Sequence, residues 1–203
     1  MYYRINMQGK TFVFFGIVGS GKGTQITLLQ DFLKQKYNLE SLHAYPGNEY
    51  RKITASDTQT ASLVKETLEK GKLQPDFLTN AIFTNILINS LNENIVLIAD
   101  GYPRTIAQSE DFLAQMNFYK RENIKIIYIK LSEEEAMKRN LLRGRSDDTE
   151  EGLKRRFAEY KNNVVPSMEF LKDKDIEVVE INGEQVIEAV HNDILKALNL
   201  NNK

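Results

Sequence analysis

Between residues 16 and 25 the chain reads Gly-Ile-Val-Gly-Ser-Gly-Lys-Gly-Thr-Gln, directly after the apolar run Phe12-Val13-Phe14-Phe15 and directly before a helical pattern. Four glycines in eight positions let consecutive backbone N–H groups point into one concavity, which residues with a Cβ could not do at every one of those dihedrals. Such a concavity holds an anion. A helix starting near Lys22 adds its positive end, the Lys22 ammonium reaches outer phosphates, and a hydroxyl after the lysine can meet a magnesium ion. The usual pattern places that hydroxyl directly after the lysine; here Gly23 intervenes and Thr24 carries it. A glycine-rich turn without a ligand is the alternative, and the ordered succession of strand, glycines, lysine, threonine and helix speaks against it.

A chain of 203 residues suits one domain with a real core. Its formal net charge of −1 gives no reason to expect nucleic acid or an anionic membrane as a partner. The absence of cysteine excludes disulfides and thiolate metal sites, and the two histidines, His43 and His191, argue against zinc. A bound metal should therefore be an oxygen-ligand one. The stretch Met1 to Met7 lacks the apolar core of a signal peptide, and no apolar run is long enough to span a bilayer, so the cytoplasm is the expected location.

Strands are expected at 11–15, 42–45, 95–99, 124–131 and 176–181, with Pro46-Gly47 breaking the second. Helices are expected at 22–36, 50–55 and 61–70, then from Pro75 to 90, through Phe112 to Met116, and at 186–198. Ser132 with Glu135 forms a capping box for a helix to Arg143, and Asp148 with Glu151 repeats that logic for a long helix to about Lys172. Strand and helix alternate, and the third strand, Ile95 to Ala99, is wholly apolar as an interior strand covered on both faces would be. The reading is an α/β fold with a doubly wound, five-stranded parallel sheet whose ligands sit at the carboxyl ends of strands. Asp100, ending that third strand, is placed to hold magnesium opposite Thr24; the alternative is a turn aspartate capping Gly101.

Asp100-Gly101-Tyr102-Pro103-Arg104-Thr105 with Gln108, together with Gly-Ser-Gly-Lys-Gly-Thr-Gln at 19 to 25, closely resembles the adenylate kinases and their nucleoside monophosphate kinase relatives. Gly47 and Arg51 match that family's second-strand motif. Gly71 to Asp76 matches the entry to its fourth helix. Arg139, Arg143, Gly144 to Asp148, Arg156 and Tyr160 match its lid region. The resemblance implies a P-loop NTPase type of sheet forming one kinase domain over 1–203, with core segments 1–45, 75–142 and 149–203, a helical monophosphate-binding insert over 46–74, and a short lid over 143–148. It implies an enzyme transferring the γ-phosphoryl of Mg-ATP to AMP, giving two ADP.

By the same resemblance, Gly19, Ser20, Gly21, Lys22, Gly23 and Thr24 bind ATP, with Lys22 on its β- and γ-phosphates. Arg139 lies against the adenine, and Asn182 to Gln185 pass it. Arg143, Arg145 and Arg156 gather around the transferring group, and Arg51 and Arg104 bind the monophosphate. Pro46, Lys72, Leu73, Gln74, Gly101 and Tyr102 complete the acceptor site, Gln108 reads its base, and Asp147 and Asp148 tie the closed lid. Lys22, Arg104, Arg143, Arg145 and Arg156 carry the catalysis, and Asp100 and Thr24 hold magnesium through water.

Physical chemistry makes sense of this inventory. Two nucleotides with facing phosphates need fixed cations more than a proton acceptor, and guanidinium forks bind phosphate oxygens bidentately without losing charge. Arg155 reads instead as part of a solvated charged face. Only Gly144 separates Arg143 from Arg145, too little for a zinc-binding lid. The family's His-Ile-Ser-Thr-Gly-Asp appears here as His43-Ala44-Tyr45-Pro46-Gly47-Asn48, and Pro46 offers neither hydroxyl nor backbone N–H. A UMP, CMP or dTMP kinase therefore stays open beside an AMP kinase, although Gln108 and Thr105 favour AMP. A third possibility is a nucleotide-binding protein of the same fold without turnover. The expected partners are ATP and the monophosphate alone, bound by a monomer.

Overall fold

The computed structural model describes residues 9–144 and 148–200. Among these, β1 (Thr11–Phe15), β2 (Ser41–Ala44), β3 (Val96–Asp100), β4 (Ile124–Lys130) and β5 (Glu177–Asn182) form one sheet in the order β2-β3-β1-β4-β5. Every pairing is parallel; Thr11 lies opposite Leu97 of β3 on one side and Ile124 of β4 on the other. The α/β reading holds. The apolar β3 is interior, as expected, but the middle strand is β1, buried along its whole length.

Pleating sends alternate residues of β1 into two apolar layers. Phe12 and Phe14 meet Ile26, Leu29 and Leu33 of α1 (Lys22–Tyr37) and Val190, Ile194 and Leu195 of α9 (Ile187–Ala197). Val13 and Phe15 meet Phe83 and Leu87 of α4 (Asp76–Ser90), Phe112 and Met116 of α5 (Ile106–Phe118), and Met168 and Leu171 of α8 (Val165–Lys172). A third cluster, formed by Ile17, Leu131, Ala136, Leu153 and Phe157, joins the glycine loop to α6 (Glu133–Arg143) and α7 (Glu150–Glu159). Between β2 and α4 stand α2 (Pro46–Thr54) and α3 (Gln59–Glu69).

Three local expectations are corrected. Pro46 does more than break β2: it occupies the first turn of α2, where its missing N–H and fixed φ suit a helix start, so that helix begins four residues before Tyr50. The cap of α7 is Thr149, whose hydroxyl accepts from the Gly152 N–H at 3.1 Å; Asp148 is engaged by arginines instead. The long helix expected to Lys172 contains a π-helical turn, Tyr160–Val164, between α7 and α8. Leu153, Phe157, Val164, Met168 and Leu171 would share one face of an unbroken α-helix. The wider turn divides them, the first two entering the third cluster and the last three the second. No helix among the described residues is long and apolar enough to cross a membrane.

Leu29 has no exposed surface, whereas Leu142 is 79% exposed. Leu29→Ala is expected to lower the unfolding free energy by about 2–5 kcal/mol and Leu142→Ala by less than about 0.5 kcal/mol, read from urea unfolding monitored by circular dichroism.

Candidate functional site

Parallel pairing brings the carboxyl ends of all five strands to one edge. The chain leaves β1 toward β2 but leaves β3 toward β4, so the loops after β1 and β3 part from each other and open a crevice at a topological switch point. In the first of these loops Gly16, Gly19 and Gly21 have φ of 153°, 89° and 87°. A Cβ on Gly16 would stand 2.6 Å from Ser20 Oγ and 2.7 Å from the Ile129 carbonyl, and one on Gly19 would strike the Asn140 amide. Gly23 has neither a positive φ nor a neighbour within 4 Å, so three of the four glycines are required by the loop itself. Gly21 is the cap of α1, whose first turn carries no acidic side chain to compete with an anion.

The half-buried Lys22 folds back over this loop. Its Nζ donates to the Gly16 carbonyl, to the Ile17 carbonyl at 3.3 Å and to Ser20 Oγ at 3.4 Å, none of which carries a charge to neutralise it. Burial pulls its pKa down to about 8; the Asp100 carboxylate acts against that shift and the Arg104 guanidinium adds to it. Lys22, Asp100 and Arg104 are thus electrostatic neighbours across the crevice. Thr24 is exposed on the first turn of α1.

After β3, Asp100 Oδ2 lies 3.1 Å from His43 Nε2 of β2. Gly101, at φ 66°, brings its carbonyl to Arg104 Nε at 2.8 Å, and a Cβ there would stand 2.6 Å from the guanidinium. Tyr102 is buried against Phe83, ring centroids 4.1 Å apart, and its hydroxyl donates to Asn80 Oδ1 at 3.0 Å. Gln108, 1% exposed, accepts from the Arg104 N–H at 2.8 Å and donates to Asp76 Oδ1 at 2.8 Å, which also receives the Thr105 hydroxyl at 2.9 Å. Asp76 was not singled out by its sequence context, where it reads only as an acidic first-turn residue after Pro75. Gln74 is buried and donates to the Val64 carbonyl of α3 at 3.3 Å; Leu73 is half-buried and Lys72 exposed. Arg51 stands on α2, donating to Asn48 Oδ1 at 2.7 Å.

A second group of cations hangs on Asp148, whose side chain has no exposed surface. Arg143 meets that carboxylate through Nε at 3.1 Å and NH2 at 3.0 Å, and Arg156 reaches it at 3.3 Å. Asn140 joins this group to the glycine loop: its Oδ1 accepts from Arg143 at 2.6 Å and its Nδ2 donates to the Val18 carbonyl at 3.0 Å. Its spacing of three from Arg143 on one helix face is the only sequence signal it gives. Arg139 pairs with Glu135 at 2.8 Å, and Arg155 with Glu151 at 2.6 Å on the solvated face expected for it. Arg145 and Asp147 lie outside the described residues.

At the end of β5 the Gly183 N–H donates to the Lys130 carbonyl at 2.8 Å, and a Cβ there would stand 2.7 Å from that oxygen. Glu184 accepts from the Ser132 N–H at 3.0 Å, a bond that holds its carboxyl below the usual range. Gln185 donates to Asp193 Oδ2 at 2.9 Å. Gln25, 2% exposed, donates to the Ile187 carbonyl at 3.0 Å and so ties the last residue of the glycine motif to the start of α9. Among the described residues no group of three or more His, Cys, Asp or Glu side chains could hold a metal. One carboxylate, Asp100, and one hydroxyl, Thr24, are instead the sparse oxygen donors suited to a magnesium ion carried mainly by water and phosphate.

A family model described as Adenylate kinase matches residues 14–176. An adenylate kinase of Prochlorococcus marinus (strain AS9601) is 31% identical, the match covering 91% of this chain and 96% of that protein. Adenylate kinases of Leptospira biflexa serovar Patoc (strain Patoc 1 / Ames) and Bacteroides fragilis (strain YCH46) are 32% and 31% identical, over 93% and 92% of this chain and 100% and 96% of their own lengths.

At pH 8.5 a lysine of pKa about 8 is mostly neutral, and arriving phosphates favour its ammonium form. Triphosphate binding at that pH is therefore expected to take up protons. Calorimetry in two buffers of different ionisation enthalpy should give different apparent heats for the wild type and equal heats for Lys22→Met.

Proposed function

The chain belongs to the adenylate kinase family, and from that premise we propose that it transfers the γ-phosphoryl group of Mg-ATP to AMP, giving two ADP. It is a phosphotransferase of nucleoside monophosphates. The observation that carries the assignment is the glycine loop with Lys22 folded over it, at the switch point where β3 also delivers Asp100 and the loop that bears Arg104, because a donor triphosphate and an acceptor phosphate need cations on both sides of one gap.

Gly19 to Thr24 cradle the triphosphate, and Lys22 exchanges its loop carbonyls for the β- and γ-phosphates. Arg143, Arg145 and Arg156 surround the transferring group, whose loose transition state spreads charge over oxygens that their forks meet. Asp148 keeps two of these arginines together, so their mutual repulsion is already offset before substrate arrives. Asp147 takes part with it in tying the lid. Asp100 and Thr24 would hold a magnesium ion, which when bound would supply charge neutralisation to the phosphates. Arg139 lies against the donor adenine beside Gln185. The acceptor phosphate, already a nucleophile at neutral pH, attacks while Arg51 and Arg104 hold it.

Pro46, Lys72, Leu73, Gln74, Gly101 and Tyr102 line the acceptor site. Gln108 reads the adenine, exchanging its amide contacts with Asp76 and the Arg104 N–H for base contacts. Thr105 caps α5 by accepting from the Gln108 N–H at 3.1 Å and so holds the backbone from which that side chain extends. Water is the competing acceptor, so the insert 46–74 and the lid 143–148 close on the core 1–45, 75–142 and 149–203 before transfer. The protein acts as a cytoplasmic monomer on these nucleotides, without nucleic acid or membrane.

ADP formation from ATP is expected to be fastest with AMP in a panel of AMP, UMP, CMP and dTMP; a preference for a pyrimidine would overturn the acceptor assignment. Lys22→Met should lower kcat by about a hundredfold or more while leaving the circular dichroism spectrum unchanged.

A further inference from the structure

The end of β2 departs from the family motif at Tyr45 and Asn48 as well as at Pro46, and the structure gives both departures the same neighbour. Arg51, exposed on α2, has its guanidinium carbon 5.6 Å from the centroid of the Tyr45 ring and its NH1 2.7 Å from Asn48 Oδ1. The Tyr45 ring is itself held. It stacks on the His43 imidazole, centroids 5.7 Å apart and planes within 9°, and His43 in turn meets Asp100 at 3.1 Å. Its phenol also lies where a side chain on Gly47 would have to go, a Cβ there standing 2.3 Å from the ring, so Gly47 leaves room for the ring in this position.

An exposed arginine is a long, rotamer-rich side chain, and ordering it on a ligand costs affinity. An aromatic face restrains the guanidinium by cation–π attraction without neutralising it. Asn48 does likewise: it accepts a hydrogen bond where the family motif carries an aspartate that would compete for the charge. We propose that Tyr45 is a positioning residue for the acceptor phosphate, its ring pre-aiming the Arg51 guanidinium and tying it through His43 to the strand end that carries Asp100. The inference rests on the acceptor-site reading above and extends it to Tyr45, which would act through Arg51.

Steady-state kinetics on Tyr45→Ser, Tyr45→Phe, Tyr45→Leu and Arg51→Ala, alone and combined, test it. Tyr45→Ser and Tyr45→Leu are expected to raise KM for AMP about fivefold, with kcat and KM for ATP within about twofold of wild type, because a cation–π contact at an exposed site is of that size. Tyr45→Phe keeps the ring and should keep the wild-type KM. In the Arg51→Ala background Tyr45→Ser should change KM for AMP no further. An unchanged KM in both Tyr45→Ser and Tyr45→Leu, or an equal rise with and without Arg51, overturns the proposal; thermal unfolding with bound ATP separates loss of folding, in which case Tyr45→Leu decides. A wild-type chain that phosphorylates no monophosphate would instead refute the function, which this experiment reads independently.

Discussion

Strand β1 sends Phe12 and Phe14 into one apolar layer and Val13 and Phe15 into the other, so it cannot slip by one residue without exchanging the contents of both. That constraint fixes where the chain emerges, at Gly16, and hence where three glycines of positive φ must turn it into α1. Strand β3, locked beside it in parallel register, delivers Asp100 to the same edge and at nearly the same height, Phe14 lying opposite Asp100. The distance between the glycine loop and Arg104 is thereby a property of the hydrophobic core. No flexible linker sets it.

The site gathers positive charge before any anion is present, and each cation is managed differently. Lys22 is desolvated and given carbonyl and hydroxyl hydrogen-bond partners, and burial lowers its pKa to about 8. Arg143 and Arg156 share one buried carboxylate, which costs desolvation but leaves a preformed pair of forks. Arg104 leans on the Gly101 carbonyl and Arg51 on an amide and a ring, both neutral supports. The arginine with an ordinary exposed acidic partner on its own helix, Arg155, is the one that reads as surface. Support by dipoles leaves charge available to a phosphate, whereas support by a carboxylate sets up an exchange that a phosphate must win.

The strands, the parallel sheet and the phosphate loop were legible because period, length and glycine spacing are local signals. Cap identity was less so: Asp148 precedes Glu151 at capping distance, yet tertiary demand from Arg143 and Arg156 claims its carboxylate and leaves the cap to Thr149. The contacts of Asn140 and Asp76 were not legible because their partners, the Val18 carbonyl and the Gln108 amide, lie 122 and 32 residues away, and an uncharged or first-turn side chain announces no such partner. Pro46 was legible as the breaker of β2 but not as the start of α2, because a proline ends a strand and begins a helix with the same fixed φ.

The π-helical turn at Tyr160–Val164 illustrates how one apolar stripe can be shared between two surfaces. Leu153 and Phe157 dock beneath the glycine loop, while Val164, Met168 and Leu171 dock on the sheet, and Tyr160 touches both clusters. Were that turn to tighten into regular α-helix with no residue removed, the stripe would become continuous and everything upstream would rotate by roughly 100° about the helix axis. Arg156 and its partner Asp148 both sit on the upstream side, Arg156 four residues before the turn, so the phase of a widened coil sets how this pair is presented relative to the sheet on which α8 docks.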